Sequence, residues 1–209
     1  MIETELGVNQ LGLLIIRHGQ SEADLLGVHE GRADFPLTEL GEQQAKRLSD
    51  YVSTNFSPDI ILASPLKRAK RTAVILKEAI GCELIVESDL MEFNNGVLAG
   101  LSREEAAVKY PLPPNGRPAH IPIENGESDL EFRFRAERIF HKVIFDYRDY
   151  QRVAIVSHGG LISHLLKAFL RQPNASDFAF ATGDTGIHLL EIKENVSVIR
   201  FLNRQEHLN

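Results

Sequence analysis

The chain has 209 residues, 43% of them hydrophobic and 25% charged, a balance that suits a globular protein with a sizeable core. Its formal net charge of -6 excludes a general nucleic-acid binder and a polybasic membrane-surface protein, because neither phosphate backbones nor anionic lipids attract a net acidic surface. Cys82 is the only cysteine, which excludes an intrachain disulfide and a thiolate metal site and fits a reducing, cytoplasmic setting.

The N-terminal stretch MIETELGVNQ carries acidic residues where a signal peptide would carry basic ones, and the apolar run after it is too short for a signal core or a membrane span. Leu13 to Ile16 is a continuous apolar run, predicting a strand buried on both faces, and Gly19 breaks it. A helix is predicted from Thr38 as N-cap, with Glu39 and Glu42 in its first turn and Ala45, Leu48, Val52 and Phe56 down one side. The strand DIILAS follows. Ser64 as N-cap with Pro65 at the first helical position predicts the next helix, striped by Leu66, Ala69, Ala73, Leu76 and Ile80 and ended by Gly81. Leu84 to Val86 reads as a short strand and Ser102 to Lys109 as a short helix. Pro111 to Gly126 is too rich in proline and glycine for regular structure and reads as a surface excursion.

Ser128 and Glu131 form a capping box for a long helix with Phe132, Ala136, Ile139, Phe140 and Val143 on its apolar face. The strand RVAIVS then ends at His158-Gly159-Gly160, Leu161, Leu165 and Phe169 continue as a helix, and GIHLLEI and SVIRFL complete the pattern. Strands alternating with helices predict an α/β fold, a three-layer α/β/α sandwich around a mainly parallel sheet, within a single domain.

Two buried strands stop in the same way, one at Arg17-His18-Gly19 and the other at Ser157-His158-Gly159. Ligands of open α/β sheets bind outside the carboxyl ends of the strands, so the two histidines are candidates to meet in one crevice. Arg68 lies one turn into a helix, where the macrodipole disfavours a cation by up to about 1 kcal/mol, so an anion should compensate it. The buried stripe of that helix turns Arg68 toward the mouth of the sheet and leaves Lys67, Lys70 and Arg71 facing water.

These residues carry a resemblance. The run LIIRHGQSEADLLGVHEGRADFPLTELGEQQA is similar to the signature of the histidine phosphatase superfamily, also called phosphoglycerate mutase-like, of the phosphatase-type branch 1. SPLKRAKRTA, LMEFNNGVLAGLS, GES and VSHGG follow in that family's order, from Leu13 to about Leu170 in all. The resemblance implies that His18 is the nucleophile that takes a phosphoryl group, that Arg17 and Arg68 hold phosphate oxygens, that His158 is the second histidine of the pocket, and that Glu92 is the proton donor. Gln20, Ser21, Asp24, Gly31 and Gly159 are candidate substrate-binding positions, and neither a metal nor a cofactor is expected.

The chemistry supports that cast. A phosphate monoester carries about -1.5 to -2 charge near neutral pH, which one cation leaves under-compensated. Phosphoryl transfer needs positioning and charge stabilisation over three equatorial oxygens, and bidentate guanidiniums suit that geometry. A histidine nucleophile must be neutral with a free lone pair, which requires its other nitrogen to donate to a fixed acceptor such as a backbone carbonyl. Gly19 lets the backbone approach closely. An alkoxide leaving group needs a proton, which Glu92 supplies if burial beside the phosphate raises its pKa. One position departs from the pattern. Family members commonly carry asparagine where this chain has Asp24, so either Asp24 does not contact the phosphoryl group or the substrate is not that of a simple close relative.

Other chemistries lack support. His158 and His164 are six apart and share no helix face, Ser64-Pro65-Leu66-Lys67 has no companion motifs of penicillin-recognising enzymes, and neither a P-loop nor a G-x-G-x-x-G occurs. The short excursion and the close of the chain soon after its last strand favour hydrolysis of a small phosphorylated metabolite over mutase-type transfer, with a non-catalytic phospho-ligand module third. Substrate identity is expected to reside at about 93–127, where Asn94, Asn95, Arg103, Arg117 and His120 are candidates to read a carboxylate or second phosphate. A homodimer through an exposed strand edge is compatible with this reading.

Overall fold

The structure, a computed structural model, describes residues 10–173, 178–194 and 196–209; the acidic stretch read against a signal peptide lies, over residues 1–9, outside them. Six strands, β1 (Leu11–Arg17), β2 (Ile60–Ala63), β3 (Glu83–Val86), β4 (Arg152–Ser157), β5 (Ile187–Ile192) and β6 (Ser197–Arg204), form one sheet in the order β3-β2-β4-β1-β5-β6. The first four in that order are parallel, and β5 and β6 are antiparallel additions.

Alternation along the buried strands explains the layering. Leu13, Ile15, Ile60, Leu62, Val153 and Ile155 face one side, where α5 (Asp129–Asp146) and α6 (Gly159–Phe169) close a core with Ile139, Leu161 and Leu165. Leu14, Ile16, Ile61, Ala63, Ala154 and Val156 face the other, against Leu48 and Val52 of α2 (Glu39–Asn55) and Ala69, Ala73 and Leu76 of α3 (Lys67–Ile80). Each large aliphatic side chain so buried contributes about 1.5–3 kcal/mol relative to exposure. With both faces covered, the strands read as unbroken apolar runs rather than alternating ones. The three-layer α/β/α sandwich is as expected. Among the described residues no helix is long and apolar enough to cross a membrane.

The structure corrects two local expectations. A five-residue helix, α1 (Glu22–Leu26), lies between Gly19 and Thr38, where no element was predicted. It has no apolar stripe to announce it, since Leu25 and Leu26 are exposed, and a capping box between Ser21 and Asp24 holds its first turn. Second, Ser64 does not cap α3. The N-cap is Leu66, which makes no side-chain cap bond, and the free amide of Lys67 donates instead to Asp34 Oδ1 at 2.7 Å. Ser64 is thereby released for another partner. The remaining helix, α4 (Arg103–Lys109), starts at the expected Ser102 with Glu105 completing its box.

Sheet register brings the chemistry together. Arg17 pairs with Ser157 in register, and Ala63 pairs with Val156. The residues that follow β2, β4 and β1, namely Ser64, His158 and His18, therefore leave three adjacent strands at one level.

Candidate active site

His18 and His158 are both buried to within 1% of full, their ring centroids 5.0 Å apart at an angle of 60°. His18 Nδ1 lies 2.7 Å from the Gly19 carbonyl oxygen, which can only accept, so Nδ1 carries the proton. Arg68 Nε donates to His18 Nε2 at 3.2 Å, so that nitrogen presents its lone pair. Burial, with the Arg68 and Arg17 guanidiniums beside it, holds the His18 imidazole well below its usual pKa. The ring is thus neutral, with a fixed tautomer. His158 is likewise held neutral by burial and by Arg68, His18 and Arg17. Its Nε2 pairs with Ser64 Oγ at 2.8 Å, while its buried Nδ1 meets no protein partner. Ser64 thus orients His158, a role its place at a strand end followed by proline did not announce.

The glycine after His18 is required by a close approach. A Cβ on Gly19 would lie 2.5 Å from the Gly41 carbonyl oxygen, so the loop can cross the start of α2 only without a side chain. Its amide donates to Thr72 Oγ1 at 3.2 Å, and that hydroxyl donates to the Arg68 carbonyl, tying the His18 loop to α3.

Arg68 is fully buried, which its expected place at the mouth of the sheet did not imply, and all three of its guanidinium nitrogens are placed. Nη1 donates to the Ala33 carbonyl at 3.1 Å and Nη2 to the Gly31 carbonyl at 2.8 Å, while Nε serves His18. Arg17 reaches the pocket from the end of β1. Its Nη1 donates to the Thr182 carbonyl at 2.7 Å, and its buried Nε has no hydrogen-bond partner. By contrast Lys67 and Arg71 lie on the outer face of α3, paired with Asp34 and Glu42.

Glu92 approaches along the N-terminus of α6. Its Oε2 accepts from the Gly160 amide and its Oε1 from the Phe93 amide, each at 2.8 Å. Gly160 is necessary there, because its Cβ would come 2.5 Å from Glu92 Oε1. The segment is stapled by a residue the sequence did not reveal. Buried Arg135 of α5 donates to the carbonyls of Asp89, Met91 and Glu92 and pairs with Glu127 Oε1 at 2.6 Å. Arg135→Ala is expected to lower stability by about 1–3 kcal/mol, since it takes the buried donor from the carbonyls of Asp89, Met91 and Glu92, and to reduce kcat on a phosphate monoester more than KM. Thermal melting and steady-state kinetics check both.

A family model, the histidine phosphatase superfamily (branch 1), matches residues 13–205. The chain belongs to the histidine phosphatase superfamily. It is 30% identical to phosphoserine phosphatase 1 of Hydrogenobacter thermophilus, over 94% of this chain and 93% of that one. It is 30% identical to the adenosylcobalamin/alpha-ribazole phosphatase of Escherichia coli, over 91% of this chain and 95% of that one. The crystal structure of the alpha-ribazole phosphatase from Shigella flexneri superposes with a TM-score of 0.83 at 28% identity, covering 93% and 96% of the two chains.

Against the superfamily's signature, the other expected positions divide. Gly31 acts through its backbone carbonyl on Arg68, and a Cβ on Gly159, the first residue of α6, would face Arg17 Nε at 3.9 Å. Gln20 turns away from the histidines: its amide donates to Gln44 Oε1 at 2.8 Å and its Oε1 accepts from Thr38 Oγ1 at 2.9 Å, bracing the loop on α2. Ser21 is buried, its hydroxyl donating to Asp24 Oδ2 at 2.9 Å. Asp24 also accepts from the Ser21 amide at 2.8 Å, and its other oxygen lies 3.8 Å from Arg17 Nη2. The departure at residue 24 is therefore a helix-capping carboxylate next to a pocket guanidinium.

Two further carboxylates face this histidine phosphatase pocket, and neither was singled out in the sequence. Asp184 Oδ1 is 3.6 Å from Arg17 Nη2, and burial raises its pKa against the pull of Arg17. Glu30 reaches Arg68 Nε at 3.1 Å and His18 Nε2 at 3.9 Å. In the excursion, Arg103 and Arg117 line a cavity of about 630 Å³ together with His29, Leu98, Tyr110 and Ile121. The His29 backbone and a bridge between Val28 and Ser102 tie that wall to the loop of Glu30. Asn94 instead braces its own turn, its amide donating to Glu127 at 2.7 Å, Asn95 packs against Gly31, and His120 is exposed outside the cavity.

Proposed function

We propose that this histidine phosphatase hydrolyses a small phosphorylated metabolite through a phosphohistidine on His18, without a metal. The observation that carries the reading is the locked His18 ring: Nδ1–H held by the Gly19 carbonyl and Nε2 pointing its lone pair to the side where Arg68 waits. The relatives named above are phosphatases of phosphoserine and of alpha-ribazole compounds, and they support a small-metabolite substrate.

In the first step His18 Nε2 attacks phosphorus as the ester oxygen departs. Arg68 Nε, freed from the lone pair, and Arg17 Nε, which has no protein partner, meet the equatorial oxygens with the unpaired His158 Nδ1. Glu92 gives the leaving oxygen its proton and takes one from water in the second step, when that water attacks the phosphohistidine. Both carboxylate oxygens of Glu92 are fixed by amide donors and each keeps a second lone pair for that proton. We read the chain as one such domain, working in a reducing, cytoplasmic compartment in keeping with its single cysteine.

A generic aryl phosphate should be hydrolysed undiminished in the presence of a chelator; dependence on a divalent ion would refute the mechanism. A panel of phosphorylated metabolites including 3-phosphoglycerate, with isomerisation assayed apart from phosphate release, should show release without isomerisation.

A further inference from the structure

Two guanidiniums, on Arg17 and Arg68, are matched by three carboxylates on Asp24, Glu30 and Asp184, while both histidines are neutral. A phosphate dianion added to that set leaves an uncompensated negative charge in a buried site, where charges interact far more strongly than in water. One of the carboxylates has to give. Asp24 is committed to the Ser21 amide and hydroxyl, and Asp184 is paired with Arg17 Nη2 and with neither Arg68 nor His18 among the described ion pairs. Glu30 is different. Its Oε1 and Oε2 lie 3.1 Å from Arg68 Nε and 3.9 Å from His18 Nε2, the two atoms an incoming phosphoryl group must meet.

The groups facing Glu30 are Arg68 from α3, Arg17 and His18 from the end of β1, and Ser21 and Asp24 from the start of α1. They do not secure its charge. Arg68 Nε directs its single hydrogen to His18, so Glu30 Oε1 is buried without a hydrogen-bond donor among the described residues. Burial, with Asp24 adding to it, raises the Glu30 pKa against the pull of Arg68, a hydrogen bond with the Ser21 side chain, and Arg17.

Resting on the reading of this pocket as the phosphoryl site, we propose that Glu30 occupies the anion position in the ligand-free protein and that a dianion binds there together with one proton, taken from solvent by Glu30. The carboxylate –COO⁻ becomes –COOH, loses its repulsion, and leaves Arg68 Nε to the ligand. Glu30 is thus a specificity-determining residue: it sets the charge form that the pocket admits.

Sulfate is the probe, because it is a dianion with no titratable proton near neutral pH. Calorimetry of sulfate binding to the whole protein near pH 7, in buffers of different ionisation enthalpy, should show net proton uptake. That uptake should vanish in Glu30→Gln, which removes the charge at nearly constant shape, and sulfate should bind the variant roughly ten- to a hundredfold more tightly. Glu104→Gln, which removes a charge from exposed helix α4, should leave uptake and affinity unchanged. Absence of uptake in the wild type, measured without any variant, overturns the proposal, as does uptake that persists in Glu30→Gln, which would assign the proton to Glu92 or to a histidine. Sulfate that binds but fails to compete with an aryl phosphate would instead sink the phosphoryl-site reading itself.

Discussion

His18→Ala is expected to abolish hydrolysis of an aryl phosphate, by a factor on the order of 10⁴ or more, with the protein still folded. Substitution removes the imidazole lone pair that meets Arg68 Nε, and no neighbouring group can replace it: His158 Nε2 is tied to Ser64, and the carboxylates repel the phosphoryl group. The backbone around residue 18 does not depend on the ring. Its amide donates to the Ser157 carbonyl and its carbonyl accepts from the Thr185 amide, both within the sheet end. Circular dichroism should therefore match the wild type. Rapid quench of the wild type with substrate should trap an acid-labile, base-stable phosphoryl label that the variant lacks. A variant that still turns over, or still carries the label, would show that the phosphoryl group goes elsewhere.

Arg68 is the second large effect, and it separates charge from geometry. Arg68→Lys keeps the positive charge but cannot reproduce three directed donors, to His18, to Gly31 and to Ala33, from one ammonium. A loss of roughly 10²–10³ in kcat/KM is expected, the scale of removing one preorganised transition-state donor. Arg68→Ala should add a stability defect, because two loop carbonyls and the Glu30 carboxylate lose their buried partner at once. A cost of about 3 kcal/mol corresponds to a Tm lower by roughly 6–12 °C in a chain of this length. If Arg68→Lys retains wild-type kcat/KM, the guanidinium supplies charge alone and the directed geometry is irrelevant.

The distribution of what could be read beforehand follows the range of the interactions. Strands β1 and β4 show themselves as apolar runs because both faces are buried, and α2, α3 and α5 show themselves through 3.6-residue stripes and caps at Thr38 and Ser128. Helix α1 has neither stripe nor length, and its capping box is completed by Asp24, the residue that drew notice for its charge. Ser64 has the local chemistry of an N-cap, and only the placement of β4 beside β2 hands its hydroxyl to His158. Arg135 reads as one more charged residue on α5 until the 89–92 segment is seen lying across it.

By itself the sequence determined the layers, the two histidines that end neighbouring strands, and the arginine at the mouth of the sheet, because local periodicity and strand-end motifs are carried by residues close in the chain. Tertiary structure alone decided the protonation geometry of His18 and the gathering of Asp24, Glu30 and Asp184 around two guanidiniums. Those depend on which carbonyl, which cation and how little water surround each group, and such surroundings come from segments as much as 167 residues apart, as with Arg17 and Asp184.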